Sequence, residues 1–191
     1  MKKFAFLLLF SCSLIALDKP NIVIILTDDL GWGDVSYHDG PIPTPNIDAL
    51  ANRGVEMNRF YSAPTCSPTR ASMLTGINSL ANGVIRPYAN PRTESYGMPL
   101  YHKILPEYLL EAGYQTALSG KWHLGMNKQD RWPLQRGFEK FYGCLAGATN
   151  FFYPEYPRGI TEGNTHIENQ ESTTDRRYYT TDAFTDNAIR F

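Results

Sequence analysis

The sequence predicts an α/β fold, and three observations carry that prediction. Asn21-Ile22-Val23-Ile24-Ile25-Leu26-Thr27 is a continuous apolar, β-branched run, as in strands covered on both faces. Segments with helical caps and stops alternate with short extended segments along the chain. Residues able to do chemistry, Asp28-Asp29 and later Lys121 and His123, follow predicted strands, at the edge where open α/β sheets collect their sites.

The elements follow in order. Gly31 and Gly33 permit a tight turn after the first strand. Pro41, Pro43 and Pro45 mark a loop, and residues 46–53 read as a helix capped by Asn46. Ile47, Leu50 and Ala51 would face inward, and Gly54 would stop it. Residues 55–62 are extended and lead to Cys66. Ser67 reads as an N-cap, Pro68 as the first helical residue and Gly76 as the stop. Residues 77–103, rich in Pro, Tyr and Asn, read as a long surface loop. Residues 105–112 are helical, and residues 114–118 form a second strand that delivers Lys121 and His123. Residues 147–177 are polar and irregular. Residues 181–191 form an amphipathic helix with Ala183, Phe184, Ala188 and Ile189 on its apolar face.

A hydrophobic content of 42% and a charged content of 19% over 191 residues fit a globular protein. The net charge of −1 leaves no electrostatic footprint for nucleic acid. Aromatic content of 13% suits sugar stacking, and ordinary core and surface tyrosines explain it equally. Met1-Lys2-Lys3, the apolar run 4–10 and the small residues up to Ala16 make residues 1–17 a secretory signal, which implies export to the periplasm or beyond. The run is short for a membrane span. Leu9-Phe10-Ser11-Cys12 is a weak lipoprotein box that would place Cys12 on a lipid. Phe10 is large for its position there, which favours soluble export.

A helix beginning just after Cys66 would aim unbonded N–H groups and the positive end of its dipole at that side chain. Arg70, about one turn on, adds a fixed charge. A Cys-based phosphatase loop has five residues between Cys and Arg; here there are three. A thiol nucleophile with His123 as its base stays open, as does a disulfide between Cys66 and Cys144. Asp28 and Asp29 can share a hard divalent cation, or be a solvated or capping pair. Lys121 and His123 would face the same way on an extended backbone, able to grip an anion or simply to end a strand in solvent.

Taken in order, Asp28-Asp29, then Cys66-Ser67-Pro68-Thr69-Arg70 with Thr75-Gly76, then Gly120-Lys121-Trp122-His123-Leu124-Gly125 resemble the cysteine-type sulfatases. The resemblance covers residues 21–191 and implies an alkaline-phosphatase-like α/β/α sandwich, of which this would be the N-terminal part of the catalytic domain. It implies hydrolysis of sulfate esters of a carbohydrate or an aryl alcohol. Cys66 would be oxidised by a maturation enzyme to formylglycine, whose hydrate attacks sulfur. Ca²⁺, rather than Mg²⁺, would sit on Asp28, Asp29 and modified Cys66, with further ligands and the leaving-group acid encoded after Phe191. Arg70 and Lys121 would hold the sulfate, and His123 would hold or deprotonate the hydrate. Residues 1–191 alone are then expected to bind Ca²⁺ weakly, to turn over little and to expose apolar surface. Two rivals remain: a phosphoric or phosphonic ester hydrolase of the same superfamily, and a non-catalytic binder of sulfated glycans. His38, His102 and His166 match no motif.

Overall fold

The computed structural model describes residues 19–87, 97–167 and 178–191. Residues 1–17, read as a secretory signal and including Cys12, and parts of the two predicted loops lie outside those residues. The chain divides into two compact units at Val55.

In the first unit the run 21–27 is extended but forms no strand, and it is exposed along its length, with Val23 at 81%. This corrects the expectation of a strand covered on both faces. A β-branched run supplies propensity, whereas a strand exists only when a neighbour takes up its N–H and C=O groups. Two single helical turns follow, Trp32–Asp34 and Ser36–His38, and then helix α1 at Pro45–Ala51. Helix α1 starts at Pro45 rather than after an Asn46 cap; proline fits there because its missing N–H would have no helical partner. The Asp48 carboxylate accepts from Ser36 Oγ at 2.7 Å and Thr44 Oγ1 at 2.8 Å, and these bonds hold its pKa below the usual carboxylate value. Ile47 and Leu50 are exposed rather than turned inward, while Ala51 is half-buried.

The second unit is built on a four-stranded sheet in the order β1 (Ala117–Lys121), β2 (Lys140–Cys144), β3 (Ile160–Glu162), β4 (Thr165–Ile167). Strands β1 and β2 are parallel; the pairs β2–β3 and β3–β4 are antiparallel. Helices α2 (Cys66–Thr75), α3 (Ser79–Asn82) and α4 (Leu105–Glu111) precede β1, and α5 (Thr180–Arg190) follows β4. Strand alternation assigns the faces. Leu118 and its cross-strand partner Phe141 pack into a core with Ala71 and Leu74 of α2, Ile104, and Trp122. The next pair, Ser119 and Tyr142, faces α5: Ser119 Oγ donates to the Phe184 carbonyl at 2.6 Å, and the Tyr142 and Phe184 rings meet edge-on. Helices therefore cover both faces of the sheet, which is α/β/α layering.

Three boundaries differ from expectation. Strand β1 begins three residues later than predicted because Gly113 N and Tyr114 N still bond to carbonyls of α4, and the in-register pairing of Ala117 with Lys140 sets its start. The region expected to be irregular contains the β3–β4 hairpin, turned by Gly163 at φ 59° and Asn164. A Gly-Asn pair between short alternating runs is the signal that was there to read. Helix α5 runs as predicted, with Ala183 and Phe184 half-buried, but Ala188 and Ile189 are exposed.

Candidate active site

Cys66 is the first residue of α2, with Thr65 as the flanking cap position. The helix thus begins two residues earlier than Pro68 suggested. Pro68 occupies the third helical position, where a missing N–H costs nothing, since the first four N–H groups of a helix have no intrahelical acceptor. The first helical bond follows at once, from Thr69 N to Thr65 O at 3.1 Å. Thr69 Oγ1 latches the entry by reaching the carbonyls of Ala63 and Thr65, both at 2.9 Å. Gly76 ends the helix at φ 68°, as its position in the sequence implied.

Ser67 does not cap the helix. Its side chain is buried, and Oγ donates to the His123 carbonyl at 2.9 Å. Arg70 is also buried, and Nη1 donates to the Lys121 carbonyl at 2.6 Å. A guanidinium has five N–H donors in one plane, so it can hold this carbonyl and still present donors to an anion. The first turn of α2 and the end of β1 are thereby fastened together at two points.

The segment after β1 is held from other sides as well. Parallel pairing with β2 continues past Lys121, with Trp122 N bonded to Cys144 O at 2.9 Å and His123 N to Leu145 O at 3.2 Å. Met98 N bonds to Leu124 O at 2.8 Å, Trp122 Nε1 donates to Arg131 O at 3.0 Å, and Arg131 Nη1 donates to Met98 O. Within this frame Lys121 is half-buried and His123 is buried. His123 has φ 57°, in the left-handed region. The alternation that was expected to put Lys121 and His123 on one side of an extended backbone therefore ends before His123.

No disulfide joins Cys66 and Cys144; both are thiols, the first half-buried and the second buried. That removes the disulfide alternative. Among the motif residues, Cys66, Arg70, Lys121 and His123 all belong to the second unit, where the first turn of α2 is bonded to the carbonyls of Lys121 and His123. Asp28 and Asp29 belong to the first unit, both exposed, with Asp29 at φ 59°. Their carboxylates are the hard oxygen donors that Ca²⁺ or Mg²⁺ takes, so the donor chemistry fits such an ion. Asp34 is engaged otherwise, accepting from Gly31 N at 2.6 Å. No cluster of three or more His, Cys, Asp or Glu able to hold a metal occurs among the described residues. The remaining histidines have local roles: His38 stacks on Trp32, the His102 carbonyl accepts from Arg136, and His166 bonds to Thr161. Ser67 is the residue the sequence misassigned; a serine after a turn reads as a cap, and its distant acceptor leaves no local trace.

The profile of the Sulfatase family matches residues 20–191. The chain belongs to the sulfatase family. Among sulfatases of known sequence, mouse (Mus musculus) arylsulfatase J is 39% identical over 134 residues, covering 70% of this chain and 22% of that protein. The crystal structure of Ps i-CgsB superimposes with a TM-score of 0.75 at 31% identity, covering 90% of this chain and 42% of that one. Ps i-CgsB has also been crystallised in complex with k-i-k-neocarrahexaose. The structure of BT4656 in complex with its substrate, D-glucosamine-2-N,6-O-disulfate, matches with a TM-score of 0.59 at 31% identity over 82% of this chain and 27% of that one. This sulfatase chain therefore has the alkaline-phosphatase-like α/β fold and spans 22% to 42% of the length of these relatives.

Proposed function

We propose that this chain carries the nucleophile half of a site that hydrolyses sulfate esters of carbohydrates. The observation that supports it best is the double fastening of α2 to the end of β1, by Arg70 to Lys121 O and Ser67 to His123 O. It ties the helix that begins with Cys66 to the backbone of Lys121 and His123, which supports reading the four residues as one site. Carbohydrate as the alcohol is supported by the saccharide complexes of Ps i-CgsB and BT4656.

Each residue then has a task. N–H groups in the first turn of α2 and the charges of Arg70 and Lys121 favour a sulfate group and the charge that grows on it. The imidazole of His123 holds or accepts a proton at the residue-66 side chain. Cys66, oxidised to formylglycine by a maturation enzyme, supplies as a hydrated aldehyde one hydroxyl to attack sulfur and a second whose deprotonation lets sulfate leave. Asp28 and Asp29 would hold Ca²⁺, and the ion would supply charge neutralisation. Residues 1–17 would direct export and residues 21–191 would belong to the catalytic domain.

The test is mass spectrometry of the Cys66 peptide from the intact protein, coexpressed with a formylglycine-generating enzyme, with turnover of an aryl sulfate and an aryl phosphate measured in parallel. The peptide is expected to be about 18 Da lighter than the thiol form, and sulfate turnover to dominate. Sulfate hydrolysis by a protein whose Cys66 remains a thiol would sink the mechanism, and dominant phosphate turnover would reassign the substrate.

A further inference from the structure

The left-handed backbone of His123 and the space beside its ring point to Gly147, which lies outside the motif segments, and to Ser67, whose role inside its segment the motif does not explain. A non-glycine residue at φ 57° is held there only when its surroundings over-determine it. The His123 N–H is bonded to Leu145 O, its carbonyl accepts from the buried Ser67 hydroxyl, and the neighbouring Leu124 carbonyl accepts from Met98 N. The ring itself lies against Gly147. A Cβ built on Gly147 would stand 2.5 Å from His123 Nε2 and 2.6 Å from Cε1. Gly147 has no positive φ, so glycine is needed there for space and not for conformation.

We propose that Gly147 and Ser67 are positioning residues for the His123 imidazole. Gly147 forms a floor that admits the ring, and Ser67 ties the carbonyl of His123 to the helix that begins with Cys66. The two constraints act on opposite ends of one residue. Gly147 sets where the ring nitrogens lie, and Ser67 fixes the backbone from which the ring is hung to the helix bearing the nucleophile. An imidazole that serves residue 66 is then positioned through the backbone and the floor beneath its ring. The inference rests on the proposed role of His123 as the proton-handling group. It adds that the role depends on a residue 24 positions further along the chain, on the loop after β2.

The experiment uses the intact, matured protein and four variants: Gly147→Ala, Ser67→Ala, Ser67→Thr and, as a control, Gly159→Ala, whose Cβ would meet only ordinary contacts, from 3.4 Å outward. Gly147→Ala is expected to lower kcat for an aryl sulfate about 10²-fold with KM within about twofold, the loss that displacement of a reacting group by about 1 Å produces. Ser67→Ala is expected to lower kcat roughly five- to tenfold, and Ser67→Thr to restore most of it, as loss and return of one hydrogen bond imply. Mass spectrometry should show the same conversion of Cys66 in all of them. The His123 ring signals in nitrogen-correlated NMR spectra should move in Gly147→Ala and stay in Gly159→Ala. Gly147→Ala with wild-type kcat, or with a raised KM alone, overturns the proposal. Should Gly147→Ala not fold, the serine pair decides: wild-type kcat in Ser67→Ala overturns it. Unmoved ring signals overturn it whatever the activity, whereas moved signals in a protein without sulfate turnover uphold the positioning and reject the proposed function instead.

Discussion

Two segments of this chain look alike in the sequence, and the structure treats them in opposite ways. Residues 21–27 and residues 114–118 each read as a strand that delivers polar side chains just beyond its end. The first has the stronger pattern, seven residues from Asn21 to Thr27 that are almost all apolar and β-branched, yet it is exposed and unpaired by any strand among the described residues. The second forms at Ala117-Leu118-Ser119-Gly120-Lys121, with three small residues and a lysine, and it is a true strand. What distinguishes them is β2, which pairs with every residue of β1 and whose ladder continues through Trp122 and His123. Propensity marks where a strand can form; a neighbour at hydrogen-bonding distance decides that it does.

Substitutions in the two segments should therefore differ sharply in cost. The largest effect is expected at Gly143→Ala in β2, where a Cβ would fall 1.8 Å from Gly120 O. Backbone cannot yield as a side chain can, so the loss should exceed the usual ~1–3 kcal/mol of overpacking. Thermal unfolding or soluble yield would read it, and a variant that melts like the parent would break the view that the β1–β2 pairing organises the second unit.

Next comes Arg70→Lys, which keeps the charge but loses the planar fork that reaches Lys121 O. Hydrogen bonds from charged groups contribute about 1.5–3 kcal/mol. Turnover of an aryl sulfate by the intact protein should fall by roughly ten- to a hundredfold, and full activity would show that the fastening is dispensable. Asp28→Asn, in the exposed segment, should weaken Ca²⁺ binding by the intact protein at least about tenfold, the range seen even for residues that stand behind metal ligands. Calorimetry with unchanged affinity would remove Asp28 from the ligand set. The smallest effect belongs to Val23→Ser. At 81% exposure it should change stability by no more than about 0.5 kcal/mol. A loss above about 2 kcal/mol would mean that this run is paired in solution, and the contrast between the segments would collapse.

What was legible in the sequence was local. Gly76 announced a helix end because a left-handed residue there favours glycine, and it adopts a positive φ. Cys66, Arg70, Lys121 and His123 could be proposed from the sequence because each is tied to a recognisable local context. The start of α2 was misjudged by two residues because Ser67 and Pro68 imitate a cap and a first turn, while the hydroxyl of Ser67 is used by a carbonyl 56 residues away. The inward faces assigned to Ile47 and Leu50 followed from helical period alone, and period names a face without naming what it packs against. The left-handed His123 and the bare Gly147 beside it were invisible for the same reason. Their signal is a contact, and single-sequence patterns carry none.

The buried state of Pro68 and Arg70 has a consequence for the order of events in the life of the chain. An enzyme that recognises Cys66 by its neighbours must read side chains that the folded unit conceals, in a backbone already wound into α2. On the proposed route, oxidation of Cys66 therefore belongs to biosynthesis, while this stretch is still an extended peptide. Modifying enzyme added to the intact folded protein should leave the thiol unchanged, whereas the same enzyme present during synthesis should convert it. Equal conversion in both cases would show that the first turn of α2 opens readily on its own.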